Sequence, residues 1–332
     1  MTTAPTAFFD EIHPVGRDSK QPRLKNCRHV CQSDRLFFAR VLDANGRDTG
    51  SRDYAKFDAT ECVNWATSAP EGAPIIPDIE GIFNPVTKTW RTIPLDLRLD
   101  GTIAISEGEA YAKKILKAVR STGRRPVLMY EGPLSSFDVQ NTYLLKNSRP
   151  EMFRNMQLAH DYAARAGGIA DDVDGHCISA YPLTQDVNVW KGTMDLQISE
   201  CLRTRPELPI YVFVTPLFHP SMGGKVGNTM IPLAFWEEQL LHLRDQHKVA
   251  GIIAWNGNDS AVTWADLSAH TTKFSEIAGG WKRIVPKQVT MGVGQQQAAF
   301  PDRHVSTPPA PVVPKQDTIK RDQQPPAFDG KR

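Results

Sequence analysis

The chain lacks any apolar run approaching the length of a bilayer-spanning helix, so no transmembrane segment is expected. Its first residues, Met1-Thr-Thr-Ala-Pro, lack the charged and apolar regions of a secretory leader. A soluble protein is expected, with its compartment left open. Charge of one sign is also scarce: 39 Lys and Arg against 37 Asp and Glu leave a formal net charge of +2. The basic residues are scattered and not interleaved with aromatics, so neither nucleic acid nor an anionic membrane is an expected partner. Cysteine is sparse and odd in number. The five, Cys27, Cys31, Cys62, Cys177 and Cys201, make a poor disulfide framework and suit buried thiols. Cys27 and Cys31 with His29 between them have half the look of a zinc site, but no second ligand pair follows at a suitable spacing. No Gly-x-Gly-x-x-Gly follows an early strand, which argues against an open dinucleotide-binding sheet. Neither a metal nor a cofactor is expected from these absences.

What is there is ordinary globular material, 40% apolar and 23% charged over 332 residues, enough for one large α/β domain or two small ones. Residues 1–25 are mixed and polar, with Phe8 and Phe9 the one strong apolar pair, and read as an arm. Arg35 to Leu42 reads as a strand before the turn-forming Asp43-Ala-Asn-Gly46. Asp58 or Thr60 is set to cap a short helix carrying Cys62, Val63 and Trp65.

Strand and helix signals then alternate. Strand-like runs lie at Ala73–Glu80, Val127–Glu131, His176–Pro182, Pro209–Pro216 and Val249–Gly257. Between them, apolar residues recur at helical spacing: Tyr111, Ile115, Leu116 and Val119, with Ser106 as the expected start; Met152, Met156, Ala159, Tyr162 and Ala163; Trp190, Met194, Ile198 and Leu202; Leu233, Trp236, Leu240 and Leu243; Leu267, Phe274, Ile277 and Trp281. Repeated strand–helix units predict parallel strands with right-handed crossovers. A (β/α)8-type TIM barrel over residues 26–286 fits better than an open sheet, with one strand irregular or missing and a seventh near Arg283 to Val289. From 287 to 332, Gln295-Gln-Gln and Pro308, Pro309, Pro311, Pro314, Pro325 and Pro326 among charges read as a disordered tail, a tether to a protein partner.

Within this pattern the stretch Pro77-Asp-Ile-Glu-Gly81 stands out. In a strand, residues i and i+2 face the same way, so Asp78 and Glu80 project together from a strand end. Each raises the cost of ionising the other, and chemistry would justify holding them there. Parallel barrel strands deliver their C-terminal ends to one mouth. The residues expected there are Asp78 and Glu80, Tyr130 and Glu131, His176, Ser179 and Tyr181, Tyr211, Phe213 and Thr215, and Trp255 and Asn256. Acids with aromatics suit a glycan: carboxylates move protons at the leaving oxygen, and ring faces pack on sugar rings.

Pro77-Asp-Ile-Glu-Gly81 resembles the Asp-x-Glu motif of barrel glycoside hydrolases such as the hyaluronidases and chitinases. Ile178-Ser-Ala-Tyr181-Pro, Tyr211-Val-Phe-Val-Thr215 and Gly251-Ile-Ile-Ala-Trp255-Asn-Gly extend the similarity over residues 74–257. The resemblance implies that Glu80 protonates the glycosidic oxygen. It implies too that Asp78 orients a substrate acetamido group acting as nucleophile, and that Tyr181 helps hold it. Tyr130, Glu131, Asp174, Tyr211, Trp255 and Asn256 are the expected substrate-binding residues. Where chitinases carry further acids upstream, this chain has Ile75, Ile76 and Pro77. Pro126 to Tyr130 also resembles a Pro-x-x-x-Tyr strand of lysozyme-like barrels. A spacing of about 5–5.5 Å between Glu80 and Glu131 would suit covalent retention and about 6.5–9.5 Å inversion, while a substrate-assisted site needs no second carboxylate.

Two alternatives stand beside this reading. One is a metal-dependent barrel enzyme in which Asp78, Glu80 and Glu131, with Asp174 or His176, hold a hard cation such as Mg²⁺. The other is a non-catalytic barrel, kept for carbohydrate binding or as a structural part of a larger assembly.

Overall fold

The computed structural model describes residues 6–11, 24–33, 37–78, 98–130, 150–246, 248–256 and 262–280. All lie in the first of the two compact units of the chain, Met1–Arg283. The expected tail and the expected strand near Arg283 lie outside the described residues, as do Glu80, Glu131 and Trp281.

The protein is α/β, built on parallel strands. These are β1 (Ala7–Glu11), β2 (Arg28–His29), β3 (Cys31–Ser33), β6 (Ile75–Pro77), β7 (His176–Ser179), β8 (Ile210–Val214) and β9 (Val249–Trp255). β4 (Phe38–Leu42) and β5 (Asp48–Phe57) form an antiparallel hairpin. The α-helices among the described residues are α1 (Ala59–Ser68), α2 (Arg98–Ser121), α3 (Pro150–Ala164), α4 (Val187–Thr204), α5 (Leu233–Arg244) and α6 (Trp264–Ala278).

The parallel pairings follow chain order. β1 pairs with β2, and the chain runs on through Val30 into β3, which pairs with β6. Ile75 and Asp78 bridge to Val127 and Tyr130, and the Asp174 N–H donates to the Val127 carbonyl at 2.7 Å. β7 pairs with β8, β8 with β9, and β9 with β1. Among the described strands, the last therefore lies beside the first.

Alternation along these strands sorts side chains onto two faces. One face carries Phe9, Val30, Ile76, Leu128, Tyr130, Cys177, Tyr181, Phe213 and Ile253, packed against one another. The other face packs on helices. Ile178, Ile210, Val212, Val214, Ile252 and Ala254 meet Trp190 and Met194 of α4, Trp236 of α5 and Phe274 of α6. Ile75, Val127 and Met129 meet Ala66 of α1, Ile115, Leu116 and Val119 of α2, and Ala163 of α3. Strands buried on both faces read as near-continuous apolar runs, as Ile210-Tyr-Val-Phe-Val214 does.

The helix starts follow local chemistry. The Asp58 carboxylate accepts from Glu61 N–H and caps α1. Asp186 accepts from the Asn188 and Val189 amides at the start of α4, and Thr263 and Asp266 form a capping box on α6.

Three expectations are corrected. Residues 7–11, read within an arm, form β1 between β9 and β2 in the five-stranded sheet, with Phe8 and Phe9 buried. The strand at Phe38–Leu42 belongs to an antiparallel hairpin with β5 and not to the parallel order. Helix α2 starts at Arg98, not at Ser106.

Candidate functional site

The C-terminal ends of the strands gather aromatic side chains near Asp78. Asp78 directly follows β6 and is held in register by its bridge to Tyr130, whose N–H donates to the Pro77 carbonyl at 3.2 Å. Beyond β7, Ala180 N–H still donates to the Phe213 carbonyl at 2.8 Å, which carries the chain in extended form to Tyr181. Trp190 Nε1–H donates to the Ala180 carbonyl at 3.0 Å, tying this strand end to α4.

Tyr181 is the hub. Its ring stacks on Trp255, centroids 5.3 Å apart and planes 18° apart, and on His219 at 5.9 Å and 20°. Its hydroxyl accepts from the Tyr130 hydroxyl at 2.5 Å, and Ser179 Oγ lies 3.3 Å from Tyr130 Oη. The Tyr130 ring packs 4.6 Å from Phe213. His219 arrives on the loop after β8, fastened by its N–H to the Pro182 carbonyl at 3.1 Å. That loop is closed by backbone bonds between Phe218 and Thr229 and between Ile231 and Pro216, with Gly223 and Gly224 supplying its left-handed turns.

Burial drives the phenol pKa of Tyr130 far up, the Asp78 charge adding to the rise and the hydrogen bonds with Ser179 and Tyr181 opposing it. Tyr181 shifts the same way, from burial first and then from Tyr130 and Asp78. Buried Cys177 is also pushed up, by burial and then by Asp78. The Asp78 charge thus acts on both tyrosines and, further down β7, on Cys177. Both tyrosines stay protonated at ordinary pH, and the Tyr130 hydroxyl donates to that of Tyr181.

The site residues read from sequence divide into groups. Asp78, Tyr130, Tyr181 and Trp255 are brought together. Asn256 is buried at the same strand end, next to Trp255. Tyr211 lies lower, at the second position of β8, its ring beside Gly251 and 6.1 Å from Phe9. Asp174 lies at the opposite end of the sheet. It precedes β7 as Tyr181 follows it, seven residues apart in extended chain or roughly 20 Å. Its carboxylate accepts from Val127 N–H at 2.8 Å and pairs with Arg120 at 3.1 Å and Arg125 at 3.3 Å. Its role is to hold the start of a strand to the end of α2, which corrects its placement among the substrate-binding residues.

His176, the other group offered for a cation, lies buried at the start of β7 with Nε2 against the Arg205 carbonyl at 3.1 Å. Burial holds its pKa down to about 4. Asp174 and His176 therefore do not join Asp78, and among the described residues no group of three or more His, Cys, Asp or Glu could hold a metal ion.

Two residues lie outside the expected site. His219 belongs to a Gly- and Pro-rich loop after β8, a sequence signal for a mouth loop. Gln32 gave no signal. By register with Ile76 it points to the inner face, and its Oε1 is buried without a hydrogen-bond partner.

No family model matches the chain, and no curated protein does. Solved structures do. The monoclinic crystal structure of bee venom hyaluronidase superposes with a TM-score of 0.51 at 12% identity, covering 83% of this chain and 97% of that one. The same bee enzyme in complex with a hyaluronic acid tetramer gives 0.49 at 14% identity, over 84% and 99%. An oligosaccharide-binding protein of the GH128 group, from Cryptococcus neoformans, gives 0.38 at 11%, over 81% and 87%. The likeness at 0.51 is one of fold: the chain shares an α/β fold with that structure at low sequence identity. No helix among the described residues is long and apolar enough to cross a membrane.

Proposed function

We propose that the protein is a glycoside hydrolase acting on a polysaccharide or an amino-sugar glycan, with its parallel strands closed into an irregular (β/α)-type barrel. The observation that carries this reading is the stack of Tyr181 on Trp255 at the same strand ends as Asp78. A ring face offers a surface for the apolar face of a sugar, and a carboxylate beside protonated phenols can orient a polar substituent. The fold shared with bee venom hyaluronidase supports a glycan as the ligand class.

In this reading Glu80 is the general acid that protonates the leaving glycosidic oxygen. Asp78 orients a substrate acetamido group as nucleophile, and Tyr181 donates a hydrogen bond to it. Trp255 and Asn256 line the substrate path, with Glu131 as a binding residue. No metal or cofactor takes part.

A digestion screen over amino-sugar and neutral polysaccharides tests it, with wild type, Glu80→Gln and Asp78→Asn run in parallel. Cleavage by wild type that both variants lose is the expected result. Binding without cleavage by wild type would replace the enzyme with a carbohydrate-binding barrel, and neither binding nor cleavage would overturn the reading.

A further inference from the structure

Tyr130 reads from sequence as a residue that touches substrate, but its surroundings give it another task. It is only 4% exposed, with its ring against Phe213 and its hydroxyl bonded to Tyr181 at 2.5 Å and near Ser179 at 3.3 Å. A tyrosine hydroxyl has one proton to give. Once Tyr130 has donated its own to Tyr181 Oη, the lone pair of Tyr181 that faces the interior is occupied. The Tyr181 proton must then leave that oxygen in another direction. The ring of Tyr181 is fixed independently, by stacking on Trp255 and His219. Ring plane and hydroxyl rotor are therefore set by two different groups of residues.

We propose that Tyr130 is a positioning residue that acts through Tyr181, with Ser179 in support, locking the Tyr181 hydroxyl so that it presents its proton as a donor to the ligand. The inference rests on the glycosidase reading for the identity of that ligand but not for the lock itself. Burial keeps both phenols protonated, and the Asp78 charge adds to that. Ser179 is itself held from outside the cluster, its carbonyl accepting from Gln197 Nε2–H of α4 at 3.3 Å. A donor fixed before the ligand arrives loses less freedom on binding than a free rotor does. The bond between Tyr130 and Tyr181 is thus spent on orientation rather than on contact with the substrate.

The test is a double-mutant cycle in the full chain with Tyr130→Phe, Tyr181→Phe and the double variant, reading kcat and KM on the glycan found by digestion. Loss of one neutral hydrogen bond of this kind is expected to lower kcat about three- to tenfold in Tyr130→Phe, with KM little changed. Because Tyr130 acts only through Tyr181, the double variant is expected to be no slower than Tyr181→Phe. Additive losses would overturn the inference, since they would mean that Tyr130 acts on its own. Ser179→Thr, which keeps a hydroxyl, is expected to retain more kcat than Ser179→Ala, and equal losses would count against the supporting role of Ser179.

A second readout needs no turnover. In protein labelled with ¹³C at tyrosine Cζ, hydrogen exchange of the Tyr181 hydroxyl is expected to be slow in wild type and faster in Tyr130→Phe. Unchanged exchange would overturn the lock even if the protein cleaves glycans. Faster exchange in a protein that cleaves nothing would uphold the lock and fail the glycosidase reading instead.

Discussion

The ring of Tyr181 lies 5.3 Å from the ring of Trp255, with the two planes 18° apart. One ring stands two residues past the end of β7 and the other closes β9, so strands separated by β8 contribute to one aromatic surface. Stacked aromatic pairs contribute about 0.5–1.5 kcal/mol beyond the area they bury. Trp255→Ala is therefore expected to weaken oligosaccharide binding roughly three- to tenfold while Tyr181 remains in place. Isothermal titration with the preferred oligosaccharide measures it, and an unchanged affinity would remove Trp255 from the ligand path.

Phe9 separates a strand from an arm. Its side chain is 3% exposed, in the inner face between β9 and β2. Truncating a buried aromatic costs about 3–5 kcal/mol. Phe9→Ala is expected to lower unfolding free energy by that order in urea. An arm lying over the surface would lose far less.

This strand also shows where the sequence ran out. The alternation that marks β6 to β9 was legible because each run is apolar, bounded by turn residues and followed by a helical pattern. Ala7-Phe-Phe-Asp-Glu11 is short and carries acids, and its partner β9 lies more than two hundred residues away, so no local signal could place it. Asp174 failed for a related reason. An acid before a strand and an acid after one look alike in sequence, yet they sit at opposite ends of the sheet. Tyr181 and Trp255 were legible as strand-end aromatics, but their stack and the Tyr130 hydroxyl bond join strands far apart in sequence.

Gly251 tests the packing beneath the site. A Cβ there would meet Tyr211 Cδ1 at 2.5 Å and Phe9 Cε2 at 2.8 Å. Both rings are held among buried neighbours, so neither yields without moving others. Gly251→Ala is expected to destabilise by about 1–3 kcal/mol as an overpacked interior. Thermal unfolding measures this, and a neutral variant would mean that the inner face is loosely filled.

Glu200 gives the fold a dependence on acid. It is 3% exposed and joins α3 to α4, accepting from His160 Nδ1 at 2.8 Å, from Arg203 at 2.6 and 2.9 Å, and from Gln157 at 3.2 Å. Burial alone would raise its pKa, but the bonds from Arg203, His160 and Gln157 outweigh it and bring the carboxyl down to about 2. A carboxyl with a depressed folded-state pKa stabilises the fold above its ordinary range, near 4.5. That contribution is lost as pH falls through about 2. Glu200→Gln is expected to cost about 2–3 kcal/mol at neutral pH, with the gap from wild type closing between roughly pH 4.5 and pH 2. A gap independent of pH would show that the charge is not what holds the two helices.

The central claim is that the carboxylates after β6 cleave a glycosidic bond. The most direct measurement is the rate of reducing-end release by Glu80→Gln, set against its affinity for the same glycan. The rate is expected to fall by about 10²–10⁴-fold, the usual worth of a positioned general acid, with the affinity within a few-fold of wild type. A variant that cleaves as fast as wild type would contradict it.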